Sequence, residues 1–195
     1  RHEARLSARM EHANVLPVQN AAFIDDHFVI AMPLGTETLA ERITRRMSNK
    51  LALDYTTQAL AAVAHAHANK IIHCDVKPEN IMLTRAGRVV VMDFGLARQE
   101  TEGGGSVSGT PAYMAPEQAR GGPVSPRADV FSAAVVLTEM IAPGGIETHR
   151  DRERIWQGIH HDPPELPDSP WAPVIERAVA RDRERRQNSA HTLIR

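Results

Sequence analysis

The sequence predicts an α+β fold, with short strands among helix in its first third and mainly helix after that. Three observations carry this. The β-rich run Phe28-Val29-Ile30-Ala31-Met32 closes on Pro33 and Gly35, as a strand entering a loop does. Residues 50–69 are rich in Ala and Leu, with apolar residues three and four apart, the spacing of an amphipathic helix. Residues 129–141, DVFSAAVVLTEMI, are apolar nearly all round, which suits a helix in the middle of a core.

The remaining elements follow in order. Residues 1–12 set Ala4, Leu6, Ala8 and Met10 among charges, the composition of a short helix. In the 50–69 helix the stripe expected to face the core is Leu51, Tyr55, Ala59, Ala62, Val63 and Ala66. IMLTRAGRVVVMD, from Ile81 to Asp93, reads as two short strands around an Arg-Ala-Gly turn. The polar segment 98–110, with consecutive glycines at 103–105, reads as a loop. The proline-rich 162–170 is a connector and 171–180 a further helix. Charged residues 181–186 form a polar turn before a short final segment. The chain shows no internal repeat.

Bulk properties narrow the function. The chain has 195 residues, 42% hydrophobic and 24% charged, enough for one sizeable core. A net charge of −1 gives no electrostatic footprint for nucleic acid or an anionic membrane. No apolar run is long enough to span a bilayer. The single cysteine, Cys74, excludes an internal disulfide and suits a reducing cytoplasm.

The chemistry concentrates in IIHCDVKPENIML, residues 71–83. Lys77 is one of only three lysines against twenty arginines, and it stands two residues after Asp75. An aspartate can orient a nucleophilic hydroxyl and accept its proton. A lysine two residues on can neutralise a transferring phosphoryl group, and an asparagine five residues after the aspartate, Asn80, can hold a metal ion. That set describes phosphoryl transfer, in which positioning and charge stabilisation do most of the work. It calls for a second metal ligand, and MDFGLA supplies Asp93 directly after the apolar run VVVM. GTPAYMAPEQ, residues 109–118, follows.

With these three motifs in order, the chain resembles the eukaryotic-like serine/threonine protein kinases of bacteria. HCDVKPEN looks like the catalytic loop, DFG the magnesium motif and APE the end of the activation segment. The resemblance implies ATP-dependent phosphorylation of Ser or Thr on a protein substrate, with Mg²⁺. It makes Asp75 the catalytic base, Lys77 a contact to the transferred phosphate, and Asn80 and Asp93 the magnesium ligands. Thr110 is expected to hydrogen-bond near Asp75 and Lys77, and Lys77 with Thr110 favours Ser/Thr over Tyr substrates. Met82 is expected under the adenine ring, with the hinge at Met32-Pro33-Leu34 and Ala31 at the gatekeeper position. His73 and Phe94 resemble members of the spine linking the lobes. Asp129 resembles the aspartate that bonds the catalytic-loop backbone, and Glu117 with Arg186 resembles a buried ion pair.

Other histidines and glycines carry less. His65 and His67 lie on different faces of one helix, so packing is favoured over metal binding. His160 and His161 lack a Cys or carboxylate at metal spacing. The glycines at 103–105 have neither the preceding strand nor the following helix that a phosphate loop needs.

Cys74 departs from the family pattern. Most members have Arg there, to receive a phosphate placed on the activation loop, and a thiol cannot do this. The expectation is a protein whose activity does not depend on phosphorylation of Thr101, Ser106 or Ser108 in the usual way. A redox role for Cys74 is disfavoured, because the neighbouring Asp75 should blunt its reactivity.

The resemblance divides the chain into a partial small lobe, 1–34, and a large lobe, 35–195. Glu3 fits the helix glutamate that pairs with a strand lysine, and that lysine and the Gly-rich loop would lie before Arg1. The 195 residues alone are therefore expected to transfer phosphate poorly, with half the nucleotide site missing. The alternative is a kinase-like, non-catalytic binding module whose exposed small-lobe surface a partner covers. Intact Asp75, Lys77, Asn80 and Asp93 favour the first reading. The resemblance places the protein in the cytoplasm, free or as the cytoplasmic domain of a membrane-tethered protein. Any dimer would run through the missing part of the small lobe.

Overall fold

The computed structural model describes residues 10–94, 96–99, 109–141 and 170–194. The helix expected over 1–12 and Glu3 lie almost wholly outside these residues, as do Thr101, Ser106, Ser108, His160, His161 and the connector 162–170.

The chain first forms an antiparallel hairpin, β1 (Asn20–Ile24) with β2 (His27–Ala31). Asp25 and Asp26 make its two-residue turn, both at positive φ (45° and 63°), as a turn matching the strand twist requires. The expected strand 28–32 is thus present one residue earlier, and its partner β1 was not legible. NAAFI has little β-branched character, and only pairing with β2 makes it a strand.

After Pro33 the chain crosses to a three-stranded antiparallel sheet of β3 (Glu37–Thr38), β5 (Ile81–Leu83) and β6 (Val89–Val91). The two strands expected around Arg-Ala-Gly are β5 and β6, with Gly87 at φ +72° in the turn. Gly35 is required by close approach. A Cβ there would lie 2.2 Å from both Cγ and Sδ of Met82. A short helix α1 (Leu39–Arg42) starts at a capping box, in which Thr38 and Glu41 satisfy each other's backbone N–H.

Helix α2 (Asn49–Ala68), capped by Ser48, buries Tyr55, Ala59, Ala62, Val63 and Ala66 as expected, while Leu51 is half-buried. Its small residues let it pack closely on α4 (Pro126–Ile141), whose residues from Ala128 to Ile141 are all buried. That burial explains why the sequence of α4 shows no polar face. A strand β4 (Ile71–Ile72) pairs with β7 (Arg98–Gln99). The segment 98–110 therefore opens with a strand, because Arg98 and Gln99 find the unpaired backbone of a buried dipeptide. Helices α3 (Pro116–Ala119), α5 (Ala172–Ala178) and α6 (Ala190–Ile194) complete the described residues.

One ion pair ties α3 to the polar turn near the C-terminus. Arg186 is 2% exposed and donates two parallel hydrogen bonds to Glu117, at 2.8 and 3.0 Å. Its remaining N–H groups reach the carbonyls of Ala180, Arg127 and Arg181, and its guanidinium lies 4.9 Å from the centre of the Phe131 ring. Such a cation is tolerable only when fully paired. Glu117→Ala should therefore destabilise the fold by about 3–5 kcal/mol. Urea denaturation checks this, and a variant of unchanged midpoint would remove the pair from any structural role.

Candidate active site

The site is built on the loop between β4 and β5. Two buried isoleucines end β4, and the turn of 3₁₀ helix at Pro78–Asn80, begun by a proline, leads into β5. Between them the backbone bends sharply at Cys74, which has φ +66°. That conformation is uncommon for a residue with a side chain. It persists because the groups around it are held from outside the loop.

Asp129, in the first turn of α4, supplies most of that hold. Its carboxylate is wholly buried and accepts the backbone N–H of His73 at 2.8 Å and of Cys74 at 2.9 Å. His67 Nε2 donates to the same carboxylate at 2.8 Å. Burial pushes the Asp129 carboxyl up, but the hydrogen bond and charge of His67, with the backbone N–H of His73, more than offset this and hold it below the usual range. His67 lies on α2, 62 positions before Asp129. The sequence suggested only packing for it, since nothing local marks a histidine that meets a distant carboxylate.

His73 is fully buried and joins two motifs. Its Nδ1 accepts the N–H of Asp75 at 3.3 Å, so the proton sits on Nε2, which donates to the carbonyl of Met92 at 3.1 Å. Its ring packs on Phe94 with centroids 4.6 Å apart. Asp93, between Met92 and Phe94, has φ +61° and an exposed side chain, while Phe94 turns into the core.

Asp75 is where the sequence-distant residues meet. Its Oδ1 accepts both the backbone N–H and the hydroxyl of Thr110, at 2.8 and 2.9 Å. Its Oδ2 lies 2.8 Å from Lys77 Nζ and accepts from Asn80 Nδ2 at 3.1 Å. Lys77 Nζ also donates to Thr110 Oγ at 2.7 Å. Burial pushes the Asp75 carboxyl up. The Lys77 and Thr110 hydrogen bonds and the Lys77 charge outweigh burial, so the group sits below the usual carboxylate range.

Asn80 is 5% exposed, and its amide N–H₂ is committed to the carbonyl and carboxylate of Asp75. The amide oxygen is therefore the atom left to act as a ligand. Its backbone carbonyl accepts the N–H of Met92 at 2.9 Å, which ties Asn80 to the residue before Asp93. An amide oxygen and a carboxylate are hard donors that suit a cation taking its other ligands from phosphate and water. At the other side, Met82 is half-buried over Gly35, Met32 is 39% exposed and Leu34 is 96% exposed at the end of the hairpin.

Cys74 is 4% exposed and clusters with Ile72 and Val124, a small apolar contact. Its carbonyl accepts from Gln118 Nε2, 44 positions away, a contact with no signal in the sequence. Among the described residues, no helix is long and apolar enough to cross a membrane.

Comparison with known proteins agrees with this geometry. A family model described as "Protein kinase domain" matches residues 1–189. The chain is 35% identical over 148 residues to the serine/threonine-protein kinase PrkC of Bacillus subtilis, covering 72% of this chain and 23% of PrkC. It is 34% identical over 154 residues to PknB of Mycobacterium tuberculosis, covering 72% of this chain and 25% of PknB. It is 30% identical over 215 aligned residues to a probable serine/threonine-protein kinase of Streptomyces coelicolor, covering 99% of this chain and 32% of that protein. The chain thus spans between 23% and 32% of the length of these relatives.

The depressed Asp129 carboxyl makes a pH prediction. A group whose folded pKa is lowered contributes stability that is fully present above its unfolded value, about 3.9, and is lost as pH falls through the folded value. Asp129→Asn should cost about 2 kcal/mol or more at neutral pH, because one amide cannot accept from every donor now on the carboxylate. The gap to wild type should begin to narrow below about pH 4, where the carboxylate of the unfolded wild-type chain takes up a proton, and go on narrowing as pH falls toward the lowered folded value. Urea melts across this range test it, and a gap that stays constant to pH 3 counts against the assignment.

Proposed function

The chain belongs to the protein kinase family, and on that premise we propose that the complete protein transfers the terminal phosphoryl group of ATP to a Ser or Thr hydroxyl of a protein substrate, using Mg²⁺. The observation that carries this reading is the convergence on one carboxylate. Asp75 holds Lys77 and Asn80 of its own loop and Thr110 from a segment more than thirty positions away, all by hydrogen bonds of 2.8–3.1 Å.

Asp75 accepts the hydrogen bond of the incoming hydroxyl and aims its lone pair at phosphorus. Its depressed pKa suits a late proton transfer. In a loose transition state the hydroxyl becomes acidic only as its bond to phosphorus forms, so a strong base gains little. Lys77 moves from bridging Asp75 and Thr110 to offset charge on the transferring group. Thr110, bonded to both, fits a short aliphatic hydroxyl beside Asp75 and supports Ser/Thr over Tyr.

The Asn80 amide oxygen and the Asp93 carboxylate are the ligands for Mg²⁺. When bound, the cation supplies charge neutralisation on the phosphate oxygens. Met82, Met32 and Leu34 line the adenine side, with backbone groups of the hinge pairing the base. The protein substrate docks along 109–114.

Two measurements test the reading. Asp93→Asn keeps a residue type that tolerates positive φ, so the fold should survive while phosphotransfer falls about a hundredfold or more. Full activity in that variant would refute the metal role. Second, the Cys74 side chain is a thiol in a small apolar cluster and cannot itself pair with a phosphate as a guanidinium would. Replacing Thr101, Ser106 and Ser108 together by Ala should leave activity close to wild type, and a many-fold loss would overturn phosphate independence.

A further inference from the structure

Gln118 is the residue after Glu117 on α3, yet it does not share the ion pair's role. It is 4% exposed, and its Nε2 donates to the backbone carbonyl of Cys74 at 2.5 Å. That carbonyl belongs to the peptide unit leading into Asp75. The other end of the same peptide, the N–H of Asp75, donates to His73 Nδ1. The preceding unit is held through the Cys74 N–H by Asp129. The backbone on both sides of the positive-φ residue is therefore pinned, and Gln118 is the pin that comes from the segment carrying Thr110.

Gly109 closes over this bond. It has φ +124°, and a Cβ there would lie 2.9 Å from Gln118 Nε2 and 3.0 Å from the Cys74 carbonyl oxygen. The same two atoms that make the bond leave no room for a side chain. Gly109 thus lets the chain pass directly over the Gln118–Cys74 bond and deliver Thr110 to the Asp75 carboxylate.

We infer that Gln118 is a positioning residue for phosphotransfer: its hydrogen bond to Cys74 sets the peptide that aims Asp75 and latches the Thr110 segment onto the loop. It touches neither ATP nor the acceptor hydroxyl. The inference rests on the phosphotransfer reading above. Its signature is a fall in kcat with little change in KM for ATP, because the nucleotide contacts lie on Met82, Asn80 and Asp93.

The test uses the full-length protein with ATP and casein as acceptor. Gln118→Met keeps length and apolar bulk but removes the donor. It should lower kcat about tenfold, equivalent to ~1.4 kcal/mol, with KM for ATP and the thermal midpoint nearly unchanged. Gln118→Glu adds a pH readout. Its carboxyl can donate to the Cys74 carbonyl only when protonated, so its kcat relative to wild type should rise as pH falls. A Met variant with wild-type kcat, or one losing kcat and stability together, overturns the inference. If the Met variant does not fold, a flat ratio for the Glu variant overturns it instead. A wild-type protein that phosphorylates neither itself nor casein would sink the phosphotransfer reading, whereas active wild type with unaffected variants would sink the Gln118 role alone.

Discussion

A buried carboxylate on the central helix organises this molecule. Asp129 has no access to water, and such a group is costly unless every lone pair is used. It is met by two backbone N–H groups of the loop and by His67. Charge-assisted bonds of this kind are about twice as strong as neutral ones. The exchange works in both directions: the loop satisfies the carboxylate, and the carboxylate holds the loop in a backbone conformation it would not keep alone. Because α4 is buried all round, the loop inherits the rigidity of the core.

Two of the five non-glycine residues with positive φ among the described residues fall where the chemistry is. Cys74 and Asp93 both have positive φ, and both precede a residue that must face the opposite way. After Cys74 comes Asp75, buried among its donors. After Asp93 comes Phe94, packed on His73 while the carboxylate stays exposed. Backbone strain of this sort costs on the order of 1–3 kcal/mol per residue and needs surroundings that over-determine it. Here His73 supplies part of the link, since its two ring nitrogens bond Asp75 and Met92. One imidazole thereby couples the orientation of the loop to that of the strand end.

The Thr110 segment is fastened to this frame by short polar contacts and buried docking. Thr110 grips Asp75. Tyr113 bonds Glu139, and its carbonyl accepts from Ser132, both on α4. Glu117 pairs with Arg186. Three consecutive parts of one segment thus reach the loop, the core helix and the C-terminal turn. The shape of the site depends on the docking of this segment as much as on the loop itself.

Much of this was legible in the residues. The amphipathic spacing of α2, the all-round apolarity of α4 and the β5–β6 turn follow from local periodicity and turn chemistry, which are set by near neighbours along the chain. Asp75, Lys77, Asn80 and Asp93 stood out because the motifs that hold them are short and ordered. The strand β1, the pairing of Arg98–Gln99 with β4 and the roles of His67 and Gln118 were not legible. NAAFI is a strand because a neighbour offers an edge, and His67 and Gln118 matter because of groups 62 and 44 positions away. Sequence by itself determined which side chains carry charge, hydrogen-bonding capacity and apolar surface. Only the tertiary structure decided which buried polar groups meet, since a buried donor or acceptor takes whatever partner the packing brings within about 3 Å.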